Sequence, residues 1–351
     1  MKVLVVGPSW VGDMVMAQPL FMTIKQHYPS ADIDVLAPDW SRPLLERMPE
    51  VRNEIVMPVG HGSLNLKGRK QLGLSLRAEN YNQAIVLPNS FKSALVPAWA
   101  KIPLRTGWRG EMRYGLLNDL RVLDKQRYPL MVERFVALGL PKNSPLPENL
   151  PAPKLVVNQA NVTASLERYQ LNTDKPVLAL CPGAEFGPAK RWPEQHYAAV
   201  ASEWLAKGWQ VWLFGSAKDQ PVAELIKQAV PAQHQDQVIS LAGNTSLADA
   251  VDLLSLASAV VSNDSGLMHI AAALEHPLVV VYGSTSPDFT PPLSKQKEIV
   301  RLGLSCSPCF KRECPLEHLN CLKELMPDQV NQALNLVIEK SQTVPVEVVT
   351  P

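Results

Sequence analysis

Residues 260–269, Val-Val-Ser-Asn-Asp-Ser-Gly-Leu-Met-His, constrain the fold of this chain most. An apolar run up to Val261 reads as a buried strand. Small polar residues follow, and residues 267–274 carry helical spacing. A strand that turns so sharply into a helix is the unit of a parallel α/β sheet, because parallel strands need a crossover and the helix supplies it. Asp264 is placed to cap the helix, which leaves the amides of Ser265, Gly266 and Leu267 directed outward. Such a helix start carries partial positive charge and favours an anion, phosphate above all. Taken alone, the turn is equally an ordinary Asp-capped helix with no ligand.

The same unit recurs along the chain. Residues 2–6 are a short β-branched run ended by Gly7-Pro8-Ser9, and a helical pattern follows at 14–28. Further strand signals stand at 33–37, 54–57, 84–87, 177–180, 210–214, 238–241 and 278–282, with helical patterns between them. The expected fold class is α/β, with two doubly wound Rossmann-like domains facing a central cleft. Residues 141–153 hold five prolines in thirteen positions, the composition of a linker. The expected N-terminal domain is therefore 1–153, linker included, and the C-terminal domain 154–351. The last helix, 327–339, is expected to pack back on the first domain, and residues 344–351 to fray.

A net charge of +1 argues against broad nucleic-acid binding. No apolar run reaches the length of about 18 residues that crosses a membrane, and the opening run is too short for a signal peptide, so a cytoplasmic location is expected. Only Gly7 and Gly12 occupy the first turn, short of the G-x-G-x-x-G fingerprint, so NAD is not expected. Four of the five cysteines crowd together as Cys306-x2-Cys309-x4-Cys314-x6-Cys321. Their number suits a structural zinc or iron–sulfur site, while their spacing matches neither a zinc ribbon nor a ferredoxin. Four reduced thiols in a loop is the other reading, and no catalytic metal is implied by either.

In the second half, four strand ends carry glycine, small polar or basic residues: Gly183 to Lys190, Gly215-Ser216, Gly243 to Thr245, and Asp264 to Gly266. A parallel sheet directs all of these ends to one edge, where together they describe a nucleotide-diphosphate pocket. The first half offers scattered cations: Lys67, Arg69 and Lys70 in a polar loop at 60–70, Lys92 after the strand at 84–87, and Arg109 and Arg113 in a loop at 106–113. Arginine beside a cleft suits bidentate binding of carboxylate or phosphate, although surface arginines with a half-buried tryptophan fit the same residues. Asp13, where the first turn enters its helix, is either a cap or a carboxylate presented to a ligand.

Several segments carry a resemblance. They are Gly7-Pro8-Ser9-Trp10-Val11-Gly12-Asp13-Met14, Pro88-Asn89-Ser90-Phe91-Lys92-Ser93, the stretch from Gly107 to Gly115, the stretch from Cys181 to Pro193, and Asn263-Asp264-Ser265-Gly266-Leu267-Met268-His269. In this order they resemble the motifs of the bacterial lipopolysaccharide heptosyltransferases, and the similarity runs from Met1 to about Leu336. The resemblance implies the GT-B glycosyltransferase architecture and an inverting, metal-independent enzyme without cofactor. It would move L-glycero-D-manno-heptose from ADP-heptose onto the first heptose of the lipopolysaccharide inner core on lipid A, at the inner face of the cytoplasmic membrane. Asp13 matches the general base and Lys190 the lysine on the donor diphosphate. Asp264, Ser265, Gly266 and His269 match the donor-binding turn, and Thr245 falls near the adenine. The family's ribose-contacting glutamate after the Gly215 turn has no counterpart in Ser216-Ala217-Lys218-Asp219. The alternatives are another sugar-nucleotide transferase, an epimerase of the same architecture, and a nucleotide-sugar sensor. A pure sensor needs no base at Asp13.

Overall fold

The computed structural model describes residues 1–59 and 63–343. The expected frayed tail at 344–351 and residues 60–62 of the polar loop lie outside the described residues. The chain divides into two compact units, Met1–Val156 with Asp288–Thr290, and Val157–Pro287 with Pro291–Pro351.

The first unit runs β1 (Lys2–Val6), α1 (Val11–His27), β2 (Asp32–Ala37), α2 (Arg42–Leu45), β3 (Val51–Val56), α3 (Leu66–Ser75), β4 (Gln83–Val86), α4 (Leu95–Trp99), β5 (Leu104–Trp108), β6 (Asp119–Arg121) and α5 (Met131–Gly139). The second runs α6 (Gln159–Tyr169), β7 (Val177–Cys181), α7 (Glu194–Ala206), β8 (Gln210–Leu213), α8 (Gln220–Ala229), β9 (Val238–Ser240), α9 (Leu247–Leu254), β10 (Ala259–Asn263), α10 (Gly266–Ala273), β11 (Leu278–Val281), β12 (Lys297–Val300), α11 (Asn320–Lys323) and α12 (Pro327–Thr343).

Each unit holds one six-stranded sheet, ordered β3-β2-β1-β4-β5-β6 in the first and β12-β11-β10-β7-β8-β9 in the second. Every neighbouring pair is parallel. Counted from its own first strand, the second sheet repeats the order of the first, 3-2-1-4-5-6, the doubly wound Rossmann arrangement. The strand order reverses between β1 and β4 and between β7 and β10. Both faces of such a sheet are covered by helices, so its central strands are apolar throughout. β7, β10 and β11 are buried along their whole length, as is all of β1 beyond Lys2.

Sequence signals miss the half-exposed members. The edge strand β12, Lys-Glu-Ile-Val, is only half-buried at each position, and its opposite number β6 is three residues long. Neither carries the apolar run that marks a central strand. The loop expected at 60–70 is instead helical from Leu66, with Asn65 Oδ1 accepting from the Gly68 amide as a cap. The buried stripe of α12, Val330, Ala333, Leu334 and Val337, sits in the core of the second unit with α7, β11 and β12. An amphipathic helix docks where its apolar stripe is covered, and the edge strand β12 leaves that surface open.

Leu334 is fully buried on α12, whereas Leu336, two residues on, is half exposed. Leu334→Ala is expected to destabilise the protein by about 2–5 kcal/mol in chemical denaturation, and Leu336→Ala by less than about 0.5 kcal/mol. Equal shifts for the two variants would contradict this packing.

Candidate functional site

The second unit gathers its functional groups at the β7–β10 switch point. Asn263, at the end of β10 and fully buried, is the pin. Its Nδ2 donates to Pro182 O at 2.6 Å, and its Oδ1 accepts from the Trp192 amide at 3.2 Å and the Tyr197 hydroxyl at 3.0 Å. The long loop after β7 is therefore fastened at both ends to the end of β10. Within that loop a 3₁₀ turn, Pro188–Lys190, presents Lys190. Lys190 Nζ lies 2.6 Å from Asp264 Oδ2, and Thr285 Oγ1, from the loop after β11, donates to the same oxygen at 2.6 Å. The Phe186 ring faces both the Lys190 ammonium, 5.0 Å from its centroid, and the Arg312 guanidinium at 5.5 Å.

Asp264 therefore does not cap the helix, which corrects the sequence expectation. α10 begins at Gly266, its cap is Ser265, and no side chain makes a capping bond there. The carboxylate is held instead by a lysine 74 positions earlier, because an ammonium and a hydroxyl on one oxygen outweigh a single amide bond. No side-chain capping bond therefore offsets the dipole at the start of α10. His269, one turn on, is buried, and burial pushes its pKa down to about 4 against the opposing pull of Asp264. It is neutral at pH 7, as a packed core histidine is.

Gly183, Gly215 and Ser216 come together around Asp219. A Cβ on Gly183 would lie 2.5 Å from Asp219 Cγ, and one on Gly215 2.7 Å from Asp219 Cβ. The Ser216 amide and hydroxyl donate to Asp219 Oδ2 at 2.9 and 2.7 Å, and Arg191 lies 3.7 Å from Oδ1. The polar groups of Ser216 are thus taken up by a capping box, and the two glycines let strand-end backbone pass close to that carboxylate. The sequence signal was present as Ser-x-x-Asp. The Thr245 hydroxyl is spent on Leu241 O at 3.2 Å.

In the first unit a pocket of about 500 Å³ opens at the carboxyl ends of β1 to β4, at the other switch point. Its lining includes Ser9, Trp10, Trp40, Arg69, Ser90 and Lys92. Trp10 and Trp40 are well exposed there, and sequence reasoning did not single them out. Asp13 stands half-buried in the first turn of α1, which follows β1 at the same edge of the sheet. Lys67 and Lys70 are exposed on α3, and Arg109 is exposed after β5.

Two of the expected cations serve the fold. Arg113 is fully buried, donating to Pro88 O at 2.6 Å, Asn89 Oδ1 at 3.2 Å, Ser93 Oγ at 3.3 Å and Trp108 O. It ties the loop after β4 to the end of β5 and is not open to a ligand. Arg69 is buried too, with its guanidinium donating to Leu64 O at 2.8 Å and Ser63 O at 3.2 Å. It forms the pocket wall, and burial holds its pKa below the usual value. Clustered arginines look alike in sequence whether they face water or satisfy carbonyl groups inside a loop.

The five cysteines are free thiols. Among the described residues no group of three or more His, Cys, Asp or Glu side chains already stands in a metal-binding arrangement, and no helix is long and apolar enough to cross a membrane.

Comparison with known proteins agrees with this architecture. Residues 69–320 match the family model Glycosyltransferase family 9 (heptosyltransferase). The chain is 51% identical over 343 residues to lipopolysaccharide heptosyltransferase 2 of Escherichia coli K12, covering 96% of this chain and 99% of that protein. It is 52% identical over 309 residues to lipooligosaccharide heptosyltransferase 2 of Haemophilus influenzae, covering 86% and 89%. The solved structure of E. coli ADP-heptose LPS heptosyltransferase II is similar at a TM-score of 0.87 and 48% identity, covering 98% of this chain and all of that one. With two parallel Rossmann-type sheets of GT-B type and a family match across most of its length, the chain is a glycosyltransferase and belongs to glycosyltransferase family 9, the heptosyltransferases.

Proposed function

We propose that this glycosyltransferase moves the heptose of ADP-heptose, with inversion, onto the first heptose of the lipopolysaccharide inner core on lipid A. The observation that carries the proposal is the meeting of Lys190 with the uncapped start of α10 at the switch point of the second sheet. A doubly wound sheet binds its ligand at this place, and an ammonium beside free helix amides suits a diphosphate. The relatives named heptosyltransferase 2, half identical over nearly the whole chain, support heptose as the sugar, and the similar structure of E. coli ADP-heptose LPS heptosyltransferase II supports ADP-heptose as the donor. Gly183, Gly215 and Thr245 line the strand-end turns on which the nucleoside would lie, contacted through backbone.

Inversion requires an acceptor hydroxyl to attack the anomeric carbon from the face opposite the diphosphate. The new C–O bond forms as the bond to the diphosphate breaks, ADP leaves with that electron pair, and the hydroxyl proton goes to a base. Asp13 is the carboxylate offered for that role. Lys190 and the amides of Ser265 and Gly266 stabilise the charge growing on ADP, so no catalytic metal is called for. The acceptor sugar would lie in the first unit's pocket, against Trp10 and Trp40, with Lys92 on its anionic substituents. The exposed cations Lys67, Lys70 and Arg109 would meet further phosphates of the core or the anionic surface of the membrane. The enzyme would work at the cytoplasmic face of that membrane, and nucleic acid has no part in the scheme.

Mass spectrometry of the purified protein with ADP-heptose and a one-heptose acceptor is expected to show one added heptose without added Mg²⁺. A strict requirement for Mg²⁺, or hydrolysis of the donor without transfer, would count against the proposal. Asp13→Asn is expected to lower kcat by a factor of about 10² to 10⁴ while ADP affinity stays near wild type. A variant that keeps most of its kcat would reduce Asp13 to a residue of the helix start.

A further inference from the structure

The segment between β12 and α11 carries four thiols for which the proposed chemistry has no use. Cys306, Cys309, Cys314 and Cys321 all line one cavity of about 20 Å³, room for a single atom-sized occupant. Ser284 lines the same cavity, is 1% exposed, and its buried hydroxyl has no hydrogen-bond partner. The backbone around the thiols is costly to hold. Phe310, Glu317 and Leu319 have φ of 55°, 57° and 56°, a region that side chains of this size rarely enter. Residues 301–319 contain no helix or strand, and the large apolar side chains Phe310 and Leu316 are exposed. Burial of apolar surface therefore does not account for the order of this segment.

We propose that Cys306, Cys309, Cys314 and Cys321 bind one divalent thiophilic metal ion, zinc, as a structural four-thiolate site. Cys306-x2-Cys309 has the spacing of an ordinary first ligand pair, and four soft sulfur ligands in tetrahedral array select zinc or iron. As they stand the thiols are not yet in coordination geometry, so binding includes turning their side chains into the cavity they already line. The bound ion would cross-link this loop, and the unpartnered Ser284 hydroxyl would gain a thiolate to donate to.

The site sits directly behind Lys190. Ala189 is part of the cavity wall, and its amide donates to Arg312 O at 3.0 Å. A Cβ on Gly187 would come within 2.5 Å of that same oxygen. The Phe310 amide donates to Ser284 O at 2.7 Å, one residue before Thr285, whose hydroxyl holds Asp264. The metal thus holds from behind both turns that shape the Lys190–Asp264 contact. It is a positioning group and takes no part in the transfer. This consequence, but not the site itself, rests on the donor reading above.

The test is metal content. Full-length protein expressed with zinc and iron in the medium, then purified anaerobically, is expected to carry one zinc ion per chain by plasma mass spectrometry. One iron ion in its place would still support the four-thiolate site. Cys309→Ser and Cys314→Ser are expected to lose the ion. Because these variants can fail to fold, wild-type protein stripped of metal provides a second reading. Added Co²⁺ is expected to give the intense sulfur-to-cobalt charge-transfer band and visible bands of a tetrahedral thiolate complex. Substoichiometric metal together with no cobalt band would overturn the proposal, as would disulfides among these four cysteines in freshly purified protein. A chain that holds zinc but does not bind ADP would overturn the donor assignment and leave the metal site supported.

Discussion

Everything functional in this protein depends on the direction of its strands. In a parallel sheet every strand ends on the same edge, and where the strand order reverses the flanking helices leave in opposite directions and open a crevice. Both sheets have the order that puts this reversal between the first and fourth strands of the unit. In the first unit the crevice is the pocket between the loops after β1 and β4, and Asp13 stands in the first turn of the helix that follows β1. In the second it is closed by contacts between the loops after β7, β10 and β11. Asn263 is central there because it is fully buried and its side-chain bonds all go to the neighbouring loop and helix. Removing that side chain would leave buried donors and acceptors unpaired, which is costlier than losing an exposed bond.

The Lys190–Asp264 pair has little value as a source of stability. Side-chain exposures of 14% and 5% mean that most of the Coulomb attraction is offset by desolvation. Its value is positional. The ammonium waits at the mouth of α10, held by one carboxylate whose negative charge Thr285 also shares. An incoming diphosphate carries more negative charge than Asp264 and adds the helix dipole as a partner, so it can draw the lysine without leaving the carboxylate bare. His269, kept neutral by burial, contributes no competing charge at pH 7.

Local signals were readable in the sequence and distant ones were not. The central strands, the glycine turns and Lys190 stood out because apolar runs and small residues report on the chain within a few positions. The capping role expected of Asp264 was a local inference overturned by a lysine 74 residues away. Arg113 and Arg69 looked like ligand-binding cations because composition does not show which carbonyl groups a guanidinium meets. Trp10 and Trp40 line the first unit's pocket as members of two loops far apart in sequence, so no spacing marks them. The strands β5, β6 and β12 were missed because none carries the apolar run on which strand assignment relies, and the end of β5 lies in what reads as a loop at 106–113.

The most direct test of the central claim is calorimetric titration of ADP and of adenosine into wild type and Lys190→Ala. A lysine on the diphosphate predicts an ADP affinity weaker by about 1.5–3 kcal/mol in the variant, tenfold to a hundredfold in Kd, with adenosine affinity unchanged. An unchanged ADP affinity, or an equal loss for both ligands, would contradict it.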